Sequence, residues 1–180
     1  MSDAGKFFPR SAWTDHGPAH PLTDFSIDRA VGLAVHWPGT TLDDYDGAQL
    51  PTLADTVKRL RSWRDYHVNV KGWSDIAYQV AIDQAGRIFV LRGLSKRSAA
   101  NGAFAPNKAF GACLLIVGEK ETPSPAMLVG FHRLYVDAWR ARGGNAKVAT
   151  HNDVRRHYGL GGTDCPGPKV TDLIRSGRLQ

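Results

Sequence analysis

Between Phe110 and Gly118 the chain reads Phe-Gly-Ala-Cys-Leu-Leu-Ile-Val-Gly, with no charged side chain among them. The run has the length of a strand, and both of its alternating sets of positions are apolar. That is the pattern of a central strand covered on both faces, so a fold built around it needs layers packed on each side. A second strand is expected at residues 31–37. There Val31, Leu33 and Val35 alternate with Gly32, Ala34 and His36, so one face carries large apolar groups and the other is kept small. His36 is the only functional group on the small face, and Trp37-Pro38-Gly39 ends the strand.

The remaining elements follow from spacing and caps. Thr52 with Asp55 marks a helix start, and Leu53, Val57, Leu60 and Trp63 form its apolar stripe. Residues 71–75 read as a loop. Ile76 to Asp83 is expected as a strand, Gln84-Ala85-Gly86 as a tight turn, and Arg87 to Leu91 as the returning strand of a hairpin. Residues 93–109, rich in Gly, Ala, Ser and Asn, read as a long loop of the kind that often carries function. Pro123-Ser124-Pro125 opens a second helix, with Leu128, Phe131, Leu134, Tyr135, Ala138 and Trp139 at helical spacing and Gly143-Gly144 closing it. Lys147 to His151 reads as a short strand, and Pro168 begins a last helix bearing Val170, Leu173 and Ile174. Residues 1–25 show no period and read as an extended arm. The expected organisation is an N-terminal arm over 1–28 and one domain over 29–180. The fold class is α/β, a central mixed sheet flanked by helices.

Composition bounds the rest. A chain of 180 residues with 42% hydrophobic and 22% charged residues suits one globular domain. No apolar run reaches the roughly 18 residues a membrane helix needs. The N-terminus lacks the apolar stretch of a signal peptide, so synthesis in the cytoplasm is expected, and action outside the cell would need release by another agent such as a holin. The net charge of +6 suits a polyanion such as nucleic acid, anionic lipid or an acidic cell wall, or has no special meaning. The cluster Lys58-Arg59-Leu60-Arg61 with Arg64 reads as a solvated helix face. Cys113 lies in the buried strand as an apolar filler, and Cys165 lies in a Gly/Pro-rich loop. These different surroundings argue against a disulfide between the two.

Chemistry concentrates in three residues. His36 and His151 offer imidazoles, and Cys165, held by Pro166-Gly167, offers a thiolate. Three protein ligands, with a fourth position left open for water, are what a catalytic zinc site needs. Of the other histidines, His16 and His20 fall in the arm, His132 falls off its helix's apolar stripe, and His67 reads as structural. His157 reads as a solvated loop residue, a donor behind the ligands, or a substrate contact.

The strings Gly32-Leu33-Ala34-Val35-His36, Gly72-Trp73-Ser74-Asp75-Ile76-Ala77-Tyr78, Ile82-Asp83-Gln84-Ala85-Gly86-Arg87-Ile88-Phe89 and His151-Asn152-Asp153 … Thr163-Asp164-Cys165-Pro166-Gly167 occur in one order over roughly residues 30 to 175. In them the chain resembles type 2 N-acetylmuramoyl-L-alanine amidases, which share a fold with peptidoglycan recognition proteins and phage amidase-type lysozymes. The resemblance implies Zn2+ held by His36, His151 and Cys165. It also implies Tyr78 as a catalytic partner, and Thr163 at the place where some members carry a catalytic lysine. Peptidoglycan is the implied substrate of a monomeric lytic enzyme, such as an endolysin, that binds neither nucleic acid nor membrane. Two other readings remain: a recognition module that holds muropeptide without cutting it, and a cytoplasmic amidase that recycles soluble muropeptides. Non-catalytic relatives usually lack the cysteine ligand. The chain departs from the family's pattern at Gln79, where many relatives have histidine, and at Ser98-Ala99-Ala100-Asn101, in place of a common Gly-Ala-His segment. Both departures bear on substrate contacts.

Overall fold

The structure, a computed structural model, describes residues 3–42, 45 and 49–179. Six strands form one mixed sheet: β1 (Phe7–Phe8), β2 (Gly32–His36), β3 (Val80–Ile82), β4 (Ile88–Val90), β5 (Phe110–Leu115) and β6 (Val148–Thr150). Their spatial order is β1-β4-β3-β5-β2-β6. Only the β3–β4 hairpin is antiparallel; the other neighbours run parallel. The helices are α1 (Leu53–Asp65), α2 (Phe104–Ala109), α3 (Pro125–Arg133), α4 (His151–His157) and α5 (Pro168–Arg175). The α/β class expected from the sequence is therefore the fold observed.

The alternation along the strands sorts the core into two faces. Leu33, Val35, Val80, Ile82, Ile88, Cys113 and Leu115 pack with Met127 and Phe131 of α3 and with Val170, Leu173 and Ile174 of α5. On the opposite face Ala81, Phe89 and Leu114 pack with Leu60 of α1, while Ala34, Phe110 and Ala149 pack with Val154 of α4. The small residues at 34 and 149 let α4 lie close to the sheet. Each fully buried large side chain contributes about 1.5–3 kcal/mol, so the two faces together hold the domain.

The caps behave as their chemistry dictates. The Thr52 hydroxyl accepts from Asp55 N and the Asp55 carboxylate accepts from Thr52 N, a reciprocal capping box that starts α1. Ser124 accepts from Met127 N ahead of Pro125 at the first position of α3, and Gly143, with φ +82°, ends the helical segment that continues it.

Several sequence expectations are corrected. The hairpin strands and the central strand are shorter than expected, because β3 starts only at Val80 and β5 ends at Leu115. The long loop at 93–109 contains α2. The strand drawn to His151 stops at Thr150, whose hydroxyl accepts from Asp153 N and turns His151 into the first residue of α4. The first residues, expected as an extended arm, lie along the sheet. Phe7–Phe8 pair with Ile88–Phe89, and Trp13 is fully buried with its indole N–H donating to Val90 O at 2.8 Å. The basic face of α1 is not simply solvated either. Arg61 donates to Trp13 O at 2.6 Å and Arg64, itself buried, donates to Gly17 O at 2.7 Å, so this helix straps the N-terminal stretch down. Asp75, fully buried, completes the fastening by accepting two bonds from Arg10. Cys113 and Cys165 are free thiols, and Cys113 is a core residue.

Candidate metal centre

β2 and β6 are parallel neighbours, and Val35 pairs with Thr150. The next residue of each chain segment is a histidine, so His36 and His151 emerge side by side at the carboxyl end of the sheet, where open α/β sheets form their crevices. Their ring centroids lie 4.3 Å apart. Cys165 arrives from the loop between α4 and α5. Asn152 N donates to Cys165 O at 3.0 Å, and the Thr163 hydroxyl accepts from Cys165 N at 3.3 Å. Gly167 then lies against the Trp37 indole, where a Cβ would come within 2.7 Å of the ring. The result places Cys165 Sγ 3.8 Å from His36 Nδ1 and 3.4 Å from Trp37 N, which donates to it.

The three ligand atoms lie within 4.8 Å of one another, and among the described residues no fourth His, Cys, Asp or Glu joins the group. Bonds of about 2.0–2.3 Å from a central zinc ion could reach all three with modest adjustment. His151 Nε2 is buried without a hydrogen-bond partner. An orphaned buried nitrogen of this kind costs about 1–3 kcal/mol, and a bound cation would satisfy it. Two imidazole nitrogens and a sulfur are also the donor chemistry zinc favours. The residues present therefore fit the metal that the sequence implied.

Electrostatics agrees with a site built to receive a cation. Burial, then the neighbouring His151, pushes the His36 pKa well below the ordinary imidazole value, against the hydrogen bond to Asn101 Oδ1. Burial and the charge of Arg155 bring His151 down to about 4. Both imidazoles are thus neutral at pH 7, with a lone pair to offer. Burial pushes the Cys165 thiol up to about 12 despite the Trp37 N–H. Forming the thiolate therefore requires a cation, and binding releases a proton.

Tyr78 stands just before β3, half-buried, with its ring edge-on to His36 at 5.4 Å. Burial and the charge of Cys165 raise its pKa, so it is a neutral phenol able to donate. The Thr163 hydroxyl accepts from Cys165 N within the same turn. Asp164, next to Cys165, has an exposed side chain. His67 stacks on Trp73 at 4.9 Å and accepts from Ala77 N, a structural role, while His132 and His157 are exposed. Gln79 is fully buried, donating to Leu94 O and Lys96 O and accepting from Ala112 N. It ties the loop carrying Leu94 and Lys96 to β5. Arg92 and Asn107 do line a cavity of about 390 Å³, with Trp73, Arg97 and Ser98. Asn101 sits behind His36, hydrogen-bonded to its Nε2 at 2.9 Å. Nothing local in the sequence marks that role, since 65 residues separate the pair.

No protein-family model matches the chain. Curated relatives do. The chain is 28% identical over 154 residues to peptidoglycan-recognition protein SC2 of Drosophila simulans, covering 84% of this chain and 79% of that protein. It is 30% identical over 133 residues to peptidoglycan-recognition protein LB of Drosophila melanogaster, covering 68% of this chain but 50% of that protein. Among solved structures, wild-type Drosophila PGRP-LB superposes with a TM-score of 0.78 at 24% identity, over 97% of this chain and 95% of that one. PGRP-LE in complex with tracheal cytotoxin, a monomeric diaminopimelic acid-type peptidoglycan, gives 0.76 at 19% identity, over 94% and 92% of the two chains. The homologues of this chain are peptidoglycan-recognition proteins and its fold is theirs, in agreement with the resemblance to that family and to type 2 amidases.

Proposed function

We propose that this chain is a zinc-dependent N-acetylmuramoyl-L-alanine amidase that cuts peptidoglycan between muramic acid and L-alanine, working as a lytic enzyme of the endolysin kind. The observation that carries the reading is the cluster of His36, His151 and Cys165, with no fourth His, Cys, Asp or Glu beside it among the described residues. A pure binding module would have no need of an open metal vertex, and the cysteine is the ligand that non-catalytic relatives usually lack. The similarity to peptidoglycan-recognition proteins supports the substrate class.

When bound, a zinc ion supplies a Lewis acid and a water activated near neutral pH. His36, His151 and Cys165 would hold it. Tyr78 donates its phenolic hydrogen to the carbonyl oxygen that gains negative charge as the amide is attacked, and its raised pKa keeps that proton in place at working pH. The cavity lined by Trp73, Arg92, Arg97, Ser98 and Asn107 is large enough for part of a glycopeptide and offers it an aromatic face and cations.

The test is cleavage of purified cell walls with the released α-amino groups of L-alanine as the readout. Activity should vanish after chelation, return with zinc, and be lost in Cys165→Ala. Full-rate cleavage by protein shown metal-free by elemental analysis would overturn the zinc mechanism. Wall binding without amine release by zinc-loaded protein would leave a recognition module.

A further inference from the structure

The hydrogen bond behind His36 determines which of its nitrogens is free. Asn101 is fully buried and His36 nearly so. The amide of Asn101 cannot be turned round: its Nδ2 lies 3.0 Å from Phe110 O and 3.4 Å from Pro106 O, so reversing it would set oxygen against two backbone carbonyls. Oδ1 therefore faces His36 Nε2, at 2.9 Å. An amide oxygen only accepts, so Nε2 must carry the hydrogen. A neutral imidazole has one N–H, which leaves Nδ1 bare, 3.8 Å from Cys165 Sγ. The loop is itself braced: Asn107 Oδ1 accepts from Asn101 N at 2.9 Å and from the Ser98 hydroxyl at 3.0 Å.

We infer that Asn101 is a positioning residue that locks His36 in the Nε2–H tautomer and so turns the Nδ1 lone pair toward the metal. Asn107 and Ser98 act one step further out by holding Asn101 in place. The inference rests on the proposed zinc site, but the tautomer can be read without zinc. Partners of this kind orient ligating histidines, and their loss typically weakens metal binding about 10- to 100-fold.

The experiment has two arms. Long-range proton–nitrogen correlation spectra of the 15N-labelled, metal-free wild-type protein should show His36 with a protonated Nε2 and a bare Nδ1. In Asn101→Ala the His36 signal should shift toward a mixture of tautomers, and zinc affinity, measured by competition with a chelating dye, should fall about 10- to 100-fold. A wild-type His36 protonated at Nδ1, or an Asn101→Ala affinity within about twofold of wild type, would overturn the inference. Should Asn101→Ala not fold, the wild-type spectrum decides. A protein that takes up no zinc but shows the Nε2–H tautomer would refute the amidase reading and leave the tautomer lock standing.

Discussion

In the proposed amidase reaction, Tyr78 is the side chain that matters most after the three proposed zinc ligands. Its ring meets His36 edge-on, and both burial and the Cys165 charge keep its hydrogen bound. Tyr78→Phe keeps the ring and removes only the donor. The expected outcome is a fall in kcat of about 10²- to 10³-fold with zinc content unchanged, measured by amine release alongside metal analysis. Loss of zinc in parallel with activity would mean that the tyrosine supports the site rather than the reaction. Asn101 is hydrogen-bonded to the same imidazole that Tyr78 meets edge-on; in the proposed reaction the first orients it and the second donates beside it.

The loop between α4 and α5 is the element on which the sulfur depends. Its backbone is fixed at both sides of Cys165, by the Thr163 hydroxyl and by Asn152 N. Gly167 adopts φ +82° and ψ 163°, a region essentially closed to residues with a Cβ, and it also lies flat against Trp37. Gly167→Ala is therefore expected to cost about 1–3 kcal/mol in a urea melt of the metal-free protein. It should also weaken zinc binding, because the same Trp37 supplies the backbone N–H that supports Sγ. A variant with unchanged melting and unchanged affinity would show that the loop tolerates a Cβ there. The pairing of β2 with β6 plays the complementary role, since a slip of one residue would send either histidine to the opposite face.

At the scale of the whole molecule, burial of imidazoles couples stability to pH. His67 and His151 have pKa values brought down to about 4, and His36 is also well below its ordinary value. In the unfolded chain each returns to about 6.5. Between those limits the unfolded state binds more protons, so stability is full near pH 7 and falls as the pH drops from about 6.5 toward 4. The melting temperature of the metal-free protein should decline through that window, and a flat profile would mean that these rings are not held neutral. The elements were legible in the chain because periodicity, caps and turn chemistry are local. Leu33 and Val35 of β2, the Thr52–Asp55 box and Pro125 all did as their neighbours in sequence dictate, whereas Val31 lies before the strand and is exposed; ligand chemistry and the family resemblance together singled out His36, His151 and Cys165. What neighbours in sequence do not specify came only from the structure: the packing of the first residues, the helix at Phe104–Ala109, the buried Arg64, and the hydrogen bonds of Gln79 and Asn101. The sequence by itself determined the class of fold, since residue type and spacing suffice for it, and with the family resemblance it named the three metal-binding candidates. Only the tertiary structure decided that those three converge, and which nitrogen of His36 is bare. That convergence comes from a parallel strand pairing across more than a hundred residues and a buried amide with one permissible orientation, and long-range packing of this kind leaves no mark in the local pattern.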